Sequence, residues 1–112
     1  MNQISWTDFE KIDIRTGTII KAELFPEAKK PAYKLKIDFG KEIGIKKSSA
    51  QITKHYSLSA LEGLQIIAVV NFPPKQIAGF ISECLVLGVY DEENHVVLLQ
   101  PDKKLSNGMK IG

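Results

Sequence analysis

The chain has 112 residues, which is enough for one domain over residues 1–112 and too few for two. Hydrophobic residues make up 44% and charged residues 25%, an ordinary globular composition. One cysteine excludes an intrachain disulfide framework, residues 1–10 contain no apolar signal core, and no apolar run nears membrane-spanning length. These features predict a cytoplasmic protein without membrane insertion.

The net charge of +2 hides an asymmetry along the chain. Residues 29–54 contain eight lysines and only two acidic residues, so this segment carries +6 and the rest of the chain −4. Segregated positive charge is typical of a protein that binds a polyanion. Lysines on the outer face of a sheet also keep a protein soluble, so the charge alone leaves both interpretations open.

The first elements are a short helix and a long strand. Ser5 followed by Asp8 resembles a capping box and predicts a helix over Trp6–Lys11. From Ile12 to Leu24 apolar and polar residues alternate, which predicts a half-buried strand. Gly17 inside this strand is a candidate bulge or coil that would bend it around a barrel.

Two further strands follow a loop at residues 26–31. In the second strand the alternation places Tyr33, Leu35, Ile37 and Phe39 inward and the intervening lysines outward. A turn at residues 40–42 leads to a third strand over residues 43–47. Residues 50–61 indicate short helical pieces, which end before Gly63.

The rest of the chain is rich in apolar runs. Residues 64–70 predict a central strand that is covered on both faces. Residues 71–74 break it, and residues 75–82 are predicted to form an irregular loop around Gly79. Further strands are predicted at residues 83–90, 95–100 and, near the end, 109–111.

Three strands, a short helix and then further strands predict an all-β protein with short helices. The matching architecture is a five-stranded Greek-key barrel of the oligonucleotide/oligosaccharide-binding (OB) type, here with an N-terminal helix and a C-terminal extension. OB barrels usually bind ligands on their second and third strands and two adjoining loops. Those strands carry the lysines in this chain, which favours the polyanion interpretation.

Residues that could support catalysis are sparse. His55 and His95 have no companions at metal-ligand spacing, and Cys84 in an apolar strand is more typical of a small hydrophobic residue than of a nucleophile. No nucleophile elbow or phosphate-binding glycine loop is present. The sequence therefore predicts no enzyme, no catalytic residue, no metal and no cofactor.

The remaining polar and charged residues are suited to binding a ligand. Lysines can contact phosphates, and hydroxyl and amide side chains can hydrogen-bond to bases, sugars or phosphates. The candidate RNA-binding residues are Lys29, Lys30, Lys34, Lys36, Lys46, Lys47, Ser48, Ser49, Gln51, Lys54, Asn71 and Lys75. Asn71 could instead cap a turn before Pro73, and Phe72 could equally stack a base or close the end of the barrel.

Several motifs carry a family resemblance. Residues 13–19, Asp-Ile-Arg-Thr-Gly-Thr-Ile, resemble the start of the tRNA-binding domain that is appended to many methionyl-tRNA synthetases. Residues 30–40, 48–53 and 71–80 resemble the CsaA family, and this likeness extends over nearly the whole chain. Thr16 stands where valine is common, a change that we expect to matter little for function.

The resemblance implies a homodimeric barrel that binds tRNA. It also implies an alternative, an export-related chaperone that holds unfolded preproteins in apolar pockets, with Phe72, Ile77 and Phe80 as candidate peptide-binding residues and the export machinery as a partner. A third hypothesis is a barrel that docks on a synthetase or another enzyme and delivers RNA. The candidate dimer-interface residues are Trp6, Phe9, Leu105, Met109 and Ile111, although the same residues could cover the open ends of a monomeric barrel.

Overall fold

Nine strands and two single-turn helices form the structure, a computed structural model that describes residues 1–112. Neither helix is long and apolar enough to cross a membrane. The elements are α1 (Trp6–Glu10), β1 (Ile14–Leu24), β2 (Tyr33–Asp38), β3 (Ile45–Ala50), α2 (Leu58–Leu61), β4 (Gln65–Val69), β5 (Lys75–Ile77), β6 (Phe80–Ser82), β7 (Leu85–Val86), β8 (Gly88–Tyr90) and β9 (Val96–Leu98). The predicted capping box is present, with Ser5 and Asp8 exchanging side-chain-to-backbone hydrogen bonds.

The five main strands form an antiparallel sheet in the order β3-β2-β1-β4-β7. The sheet curls until β3 meets the residues that precede β7. There the Glu83 amide donates to the Lys47 carbonyl at 2.7 Å, and the Lys47 amide donates to Glu83 Oε1 at 2.9 Å. The result is a nearly closed five-stranded barrel with α2 between its third and fourth strands, so the predicted all-β class and OB-type architecture are confirmed.

A β-bulge bends β1, but not at Gly17 as predicted. In the pairing with β2, Ile19 faces Ile37 and Lys21 faces Lys36, so Ile20 is the extra residue. Gly17 has a different role. A Cβ atom there would lie 2.7 Å from the Phe39 ring, so the missing side chain makes room for the core.

Strand β2 and the residue that follows it contribute three of the most deeply buried side chains of the core. Leu35, Ile37 and Phe39 are each no more than 1% exposed, which confirms the predicted alternation. The third strand continues beyond its predicted end at Lys47, because the small residues Ser48 and Ala50 fit beside β2 on the inner face.

Two predictions for the second half of the chain were wrong. Residues 75–82 form a hairpin, β5–β6, which turns at Ala78 and Gly79 with both φ angles positive (47° and 81°), the conformation of a tight hairpin turn. The apolar run at 83–90 is divided at Leu87, whose amide donates to the Ile67 carbonyl and whose carbonyl accepts from Leu99. Only β7 therefore stays with the barrel, while β8 leaves to pair with β9 and exposes Tyr90.

The C-terminal tail, defined as residues 105–111, lies along β1. The Thr16 amide donates to the Met109 carbonyl at 3.0 Å, and the Gly108 amide donates to the Thr16 carbonyl at 2.7 Å. The buried Thr16 hydroxyl donates to the Ser106 carbonyl and accepts from the Met109 amide. Valine could make neither of these side-chain bonds, so Thr16 has a structural role in this chain.

The Asp13–Arg15 pair of the N-terminal motif also holds the tail. Arg15 Nε donates to Asp13 Oδ1 at 2.6 Å, while Arg15 Nη1 donates to the Gly108 carbonyl at 2.9 Å. The hydrogen bond from Arg15 lowers the pKa of the Asp13 carboxyl. The charges of Asp13 and Arg15 are therefore paired with each other and are not available to bind a ligand.

Candidate nucleic-acid interface

The outer face of β2 and β3 presents lysines in register. Lys36 lies directly opposite Lys47, and Lys34 lies opposite Ser49. Like charges at facing positions of neighbouring strands destabilise a sheet. This face is therefore poorly explained by stability alone, and an anion bound between the strands would relieve the repulsion.

These lysines have no acidic partners. The structure contains four ion pairs, and none involves a lysine of the 29–54 segment. The pairs are Lys11–Asp8, Arg15–Asp13, Lys21–Glu23 and His55–Asp91. The positive charge that the sequence concentrates in this segment is thus uncompensated in the fold and available to an external anion.

An aromatic ring lies within the lysine-bearing face. The Phe80 ring centre is 5.8 Å from Lys34 Nζ and 5.3 Å from Lys47 Nζ, within cation–π range. The buried Phe25 packs edge-to-face against Phe80, with ring centres 5.4 Å apart. Phe25 was not among the predicted site residues, because nothing in the sequence distinguishes an aromatic residue before Pro26 from an ordinary core residue.

A groove of about 420 Å³ continues this face between the loop after β1 and the β5–β6 turn. We call it the basic groove. It brings together four of the predicted RNA-binding residues, although they come from separate segments of the sequence. The lining residues are Glu27, Ala28, Lys29, Lys30, Ala32, Ser49, Gln51, Ile77 and Ala78.

Other predicted RNA-binding residues lie elsewhere. Ser48 is 1% exposed, and its hydroxyl donates to the Cys84 carbonyl. The Asn71 amide accepts from the Asp13 backbone and donates to the Lys11 carbonyl, so it fixes the start of β1 instead of capping a turn. Lys46 is half-buried on the inward phase of β3. Lys54 is exposed in the segment after β3, and Lys75 is exposed at the start of β5.

A second groove, of about 620 Å³, lies between the β5–β6 hairpin and the β8–β9 turn. We call it the apolar groove, and Phe72, Ile77, Leu85, Tyr90 and Val96 line much of it. Phe72 is 51% exposed and Tyr90 is 71% exposed. Leu85 and Tyr90 were not among the predicted site residues, because the apolar run at 83–90 predicted one continuous strand.

Cys84 forms part of the floor of the apolar groove. Burial raises the pKa of its thiol to about 11, because the thiolate would lose solvation. The neutral thiol is a poor nucleophile, so the residue contributes packing at this position.

A hydrogen-bonded turn forms one rim of the apolar groove. Asp91 Oδ1 accepts from the backbone amides of His95 and Glu93, and Asp91 Oδ2 lies 2.7 Å from His55 Nε2. The His95 backbone bond, followed by the His55 side chain, favours the ionised carboxylate and lowers the pKa of Asp91 to about 2.

This turn predicts a component of acid unfolding. Because the folded pKa of Asp91, about 2, lies below its ordinary value of 3.8, Asp91 stabilises the fold above that ordinary value and loses this contribution as the pH falls towards 2. We expect Asp91→Asn to be less stable than wild type near pH 6, with a smaller difference near pH 2. Urea unfolding across this range measures the effect, and Glu92→Gln is the matched control. Parallel pH profiles for wild type and Asp91→Asn would contradict this role.

The predicted dimer-interface residues form two groups. Trp6, Phe9 and Ile111 line a groove of about 330 Å³ together with Ile12, and Trp6 is 85% exposed. Leu105 and Met109 are about half exposed on the tail. The first group combines the N-terminal helix with the end of the tail, which are far apart in sequence but adjacent in the fold.

Comparisons with known proteins agree with this architecture. The family model described as "Putative tRNA binding domain" matches residues 14–110. The CsaA chaperone of Bacillus anthracis str. Ames is 56% identical with a TM-score of 0.93, covering 99% of this chain and 100% of that one. The CsaA chaperone protein of Picrophilus torridus is 57% identical with a TM-score of 0.92, covering 98% and 100%.

Longer relatives contain a similar region. The methionine–tRNA ligase of Methanocaldococcus jannaschii is 35% identical over 111 residues, which are 99% of this chain and 17% of the ligase. For the ligase of Pyrococcus horikoshii the identity is 37%, over 99% of this chain and 15% of the ligase. The chain thus spans only a small part of these enzymes. With a family match over most of its length and CsaA relatives that align from end to end, the chain belongs to the putative tRNA-binding domain family and, within it, to the CsaA group.

Proposed function

We propose that this protein binds tRNA without catalysis, through the outer face of β2 and β3 and the adjoining basic groove. The observation that carries the proposal is the set of unpaired lysines, with Lys36 opposite Lys47 and no acidic partner for either. Lysine ammonium groups at this density attract a phosphate backbone and release its counterions on binding. The family match supports RNA as the polyanion. We place this activity in the cytoplasm, where tRNA is used.

The test is fluorescence anisotropy with labelled total tRNA across a salt series. If about six lysines contact phosphates, the affinity falls roughly thousandfold between about 50 and 200 mM salt. A heparin competition at each salt concentration separates RNA binding from attraction to any polyanion. The proposal fails if the protein does not bind tRNA at low salt, or if heparin at equal charge displaces tRNA completely.

We further propose that the protein acts as a homodimer and that the surface of Trp6, Phe9, Leu105, Met109 and Ile111 forms the interface. Trp6 is 85% exposed and lies beside an apolar groove. An exposed apolar patch of this kind favours a surface that a second copy of the chain covers over one that stays in contact with water. Light scattering gives the mass in solution, and a protein that stays monomeric at high concentration would exclude this assembly.

The apolar groove favours a second candidate function, the binding of unfolded polypeptides, and two relatives are named chaperones. Exposed Phe72 and Tyr90 could bury apolar side chains of an extended chain, such as a preprotein on its way to the export machinery. Burial of apolar surface is weakly screened, so binding of an unfolded preprotein would persist in salt that releases tRNA. Binding that disappears with the same salt dependence as tRNA would exclude the groove as the peptide site.

A further inference from the structure

The position of Phe80 has a consequence for the kind of RNA that this face can bind. Its ring is half-buried on the β5–β6 hairpin, with the ammonium groups of Lys34 and Lys47 at 5.8 and 5.3 Å from the ring centre. Neither lysine has an ion-pair partner. Lys34 Nζ is also 5.6 Å from the centre of the Phe25 ring, so it lies beside both rings, whereas Lys47 lies beside Phe80. Two like charges therefore meet at the Phe80 ring, and an incoming anion would relieve their repulsion.

The ring is also held in place from behind. Phe25 is 4% exposed and meets Phe80 at an interplanar angle of 61°, so the edge-to-face contact fixes the orientation of the half-buried ring. An aromatic ring beside cations is an arrangement by which proteins bind single-stranded nucleic acid: the bases stack on the ring while the cations contact the backbone.

A base and the two lysines need not compete for the ring. A base stacked on an aromatic side chain contributes more than an exposed cation–π contact does. Lysine stems are flexible, so both ammonium groups can leave the ring for a phosphate when a base arrives. A duplex stem offers the same phosphates, but its bases are stacked inside the helix and cannot use the ring.

We propose that this face holds an unpaired nucleotide of the RNA, with the base stacked on Phe80 and its phosphate bound by Lys34 and Lys47. The inference rests on the proposed RNA binding and narrows it to single-stranded segments, such as loops or ends. Ser49, opposite Lys34 in the sheet, also lines the basic groove, so the next nucleotide of the strand has a path into that groove.

The experiment compares a labelled single-stranded hexaribonucleotide, a short RNA duplex and total tRNA by anisotropy. Phe80→Leu is expected to weaken binding of the single strand and of tRNA about tenfold, since the base loses its aromatic partner. Binding of the duplex is expected to stay unchanged, and so is the salt dependence, because both lysines remain. Phe80→Tyr should bind as wild type, and Ile81→Ala, on the same hairpin but at an outward position, is the matched control.

A second measurement uses the wild-type protein, so it does not depend on the variants folding. A single strand that contains 4-thiouridine is irradiated on the protein, and mass spectrometry locates the crosslink, which is expected at Phe80. Crosslinks only outside residues 75–82, or full affinity of folded Phe80→Leu for the single strand, would overturn the inference.

The outcomes distinguish failure of this inference from failure of the proposed function. Steep salt-dependent binding of tRNA with no effect of Phe80→Leu would remove the stacked base and leave tRNA binding intact. No binding of any RNA would remove both. Displacement of the single strand by an acidic, aromatic-rich peptide at equal concentration would assign the ring to polypeptides and overturn the inference.

Discussion

Reversing two charges, Lys36→Glu with Lys47→Glu, is expected to weaken tRNA binding roughly 100-fold near physiological salt. The two side chains face each other on β2 and β3 and lie on the outer face of the sheet. Each glutamate removes one phosphate contact and adds repulsion against the next phosphate. The dependence of log affinity on log salt should also become shallower by about two units, because about two fewer counterions are released. Anisotropy across a salt series measures both quantities.

A matched control carries the same change of charge elsewhere. Lys103 and Lys104 are exposed on the loop before the tail and take part in no ion pair. Lys103→Glu with Lys104→Glu is expected to weaken binding by less than about threefold through the net charge alone. Equal losses in the two double variants would show that total charge, and not the face of β2 and β3, determines the affinity.

The second large effect concerns stability. Gly17→Ala is expected to lower the free energy of unfolding by about 1–3 kcal/mol, because the new methyl group would lie 2.7 Å from the Phe39 ring and 2.8 Å from Ile37 Cγ2. Both neighbours are no more than 1% exposed and have little room to move. Urea unfolding followed by circular dichroism measures the change. Gly112→Ala, which adds a methyl group in open space, is the control and should leave stability unchanged.

A double variant tests the cause of this effect. Phe39→Leu alone should also destabilise the barrel, since it leaves a cavity. Combined with Gly17→Ala, the smaller side chain makes room for the methyl group, and the two losses are expected to be less than additive by about 1 kcal/mol. Strictly additive losses would mean that Gly17 acts through the backbone and not through contact with Phe39.

Much of the barrel could be predicted from alternation, because β2 has a single phase in which every inward residue is apolar. The position of the β-bulge could not be predicted in this way. Ile19 and Ile20 are both apolar, so the pattern does not reveal which of them points outward, and Gly17 attracted the prediction instead. The prediction of one strand over residues 83–90 was wrong for a related reason. A continuous apolar stretch does not distinguish one strand from two short strands that separate at Leu87.

The positive charge of the candidate site could be predicted from the sequence, but the contacts among its side chains could not. Lysine density was visible in the sequence, and the strand alternation placed Lys34 and Lys36 outward. The contact between Phe25 and Phe80 joins residues that are distant in sequence, and no local pattern indicates it. Asn71 was chosen for its polar side chain, yet both groups of its amide are used to hold the start of β1.

The tail has a consequence for association with other chains. β2 pairs with β1 only from Thr18 onward, and the outward backbone groups of Ile14 and Thr16 on that side bond to residues 108–111 instead. Without the tail, the first half of β1 would be an open edge to which a strand of another molecule could add. Residues 108–111 thus cover this edge and block uncontrolled strand addition, a useful property in a protein proposed to bind extended polypeptides.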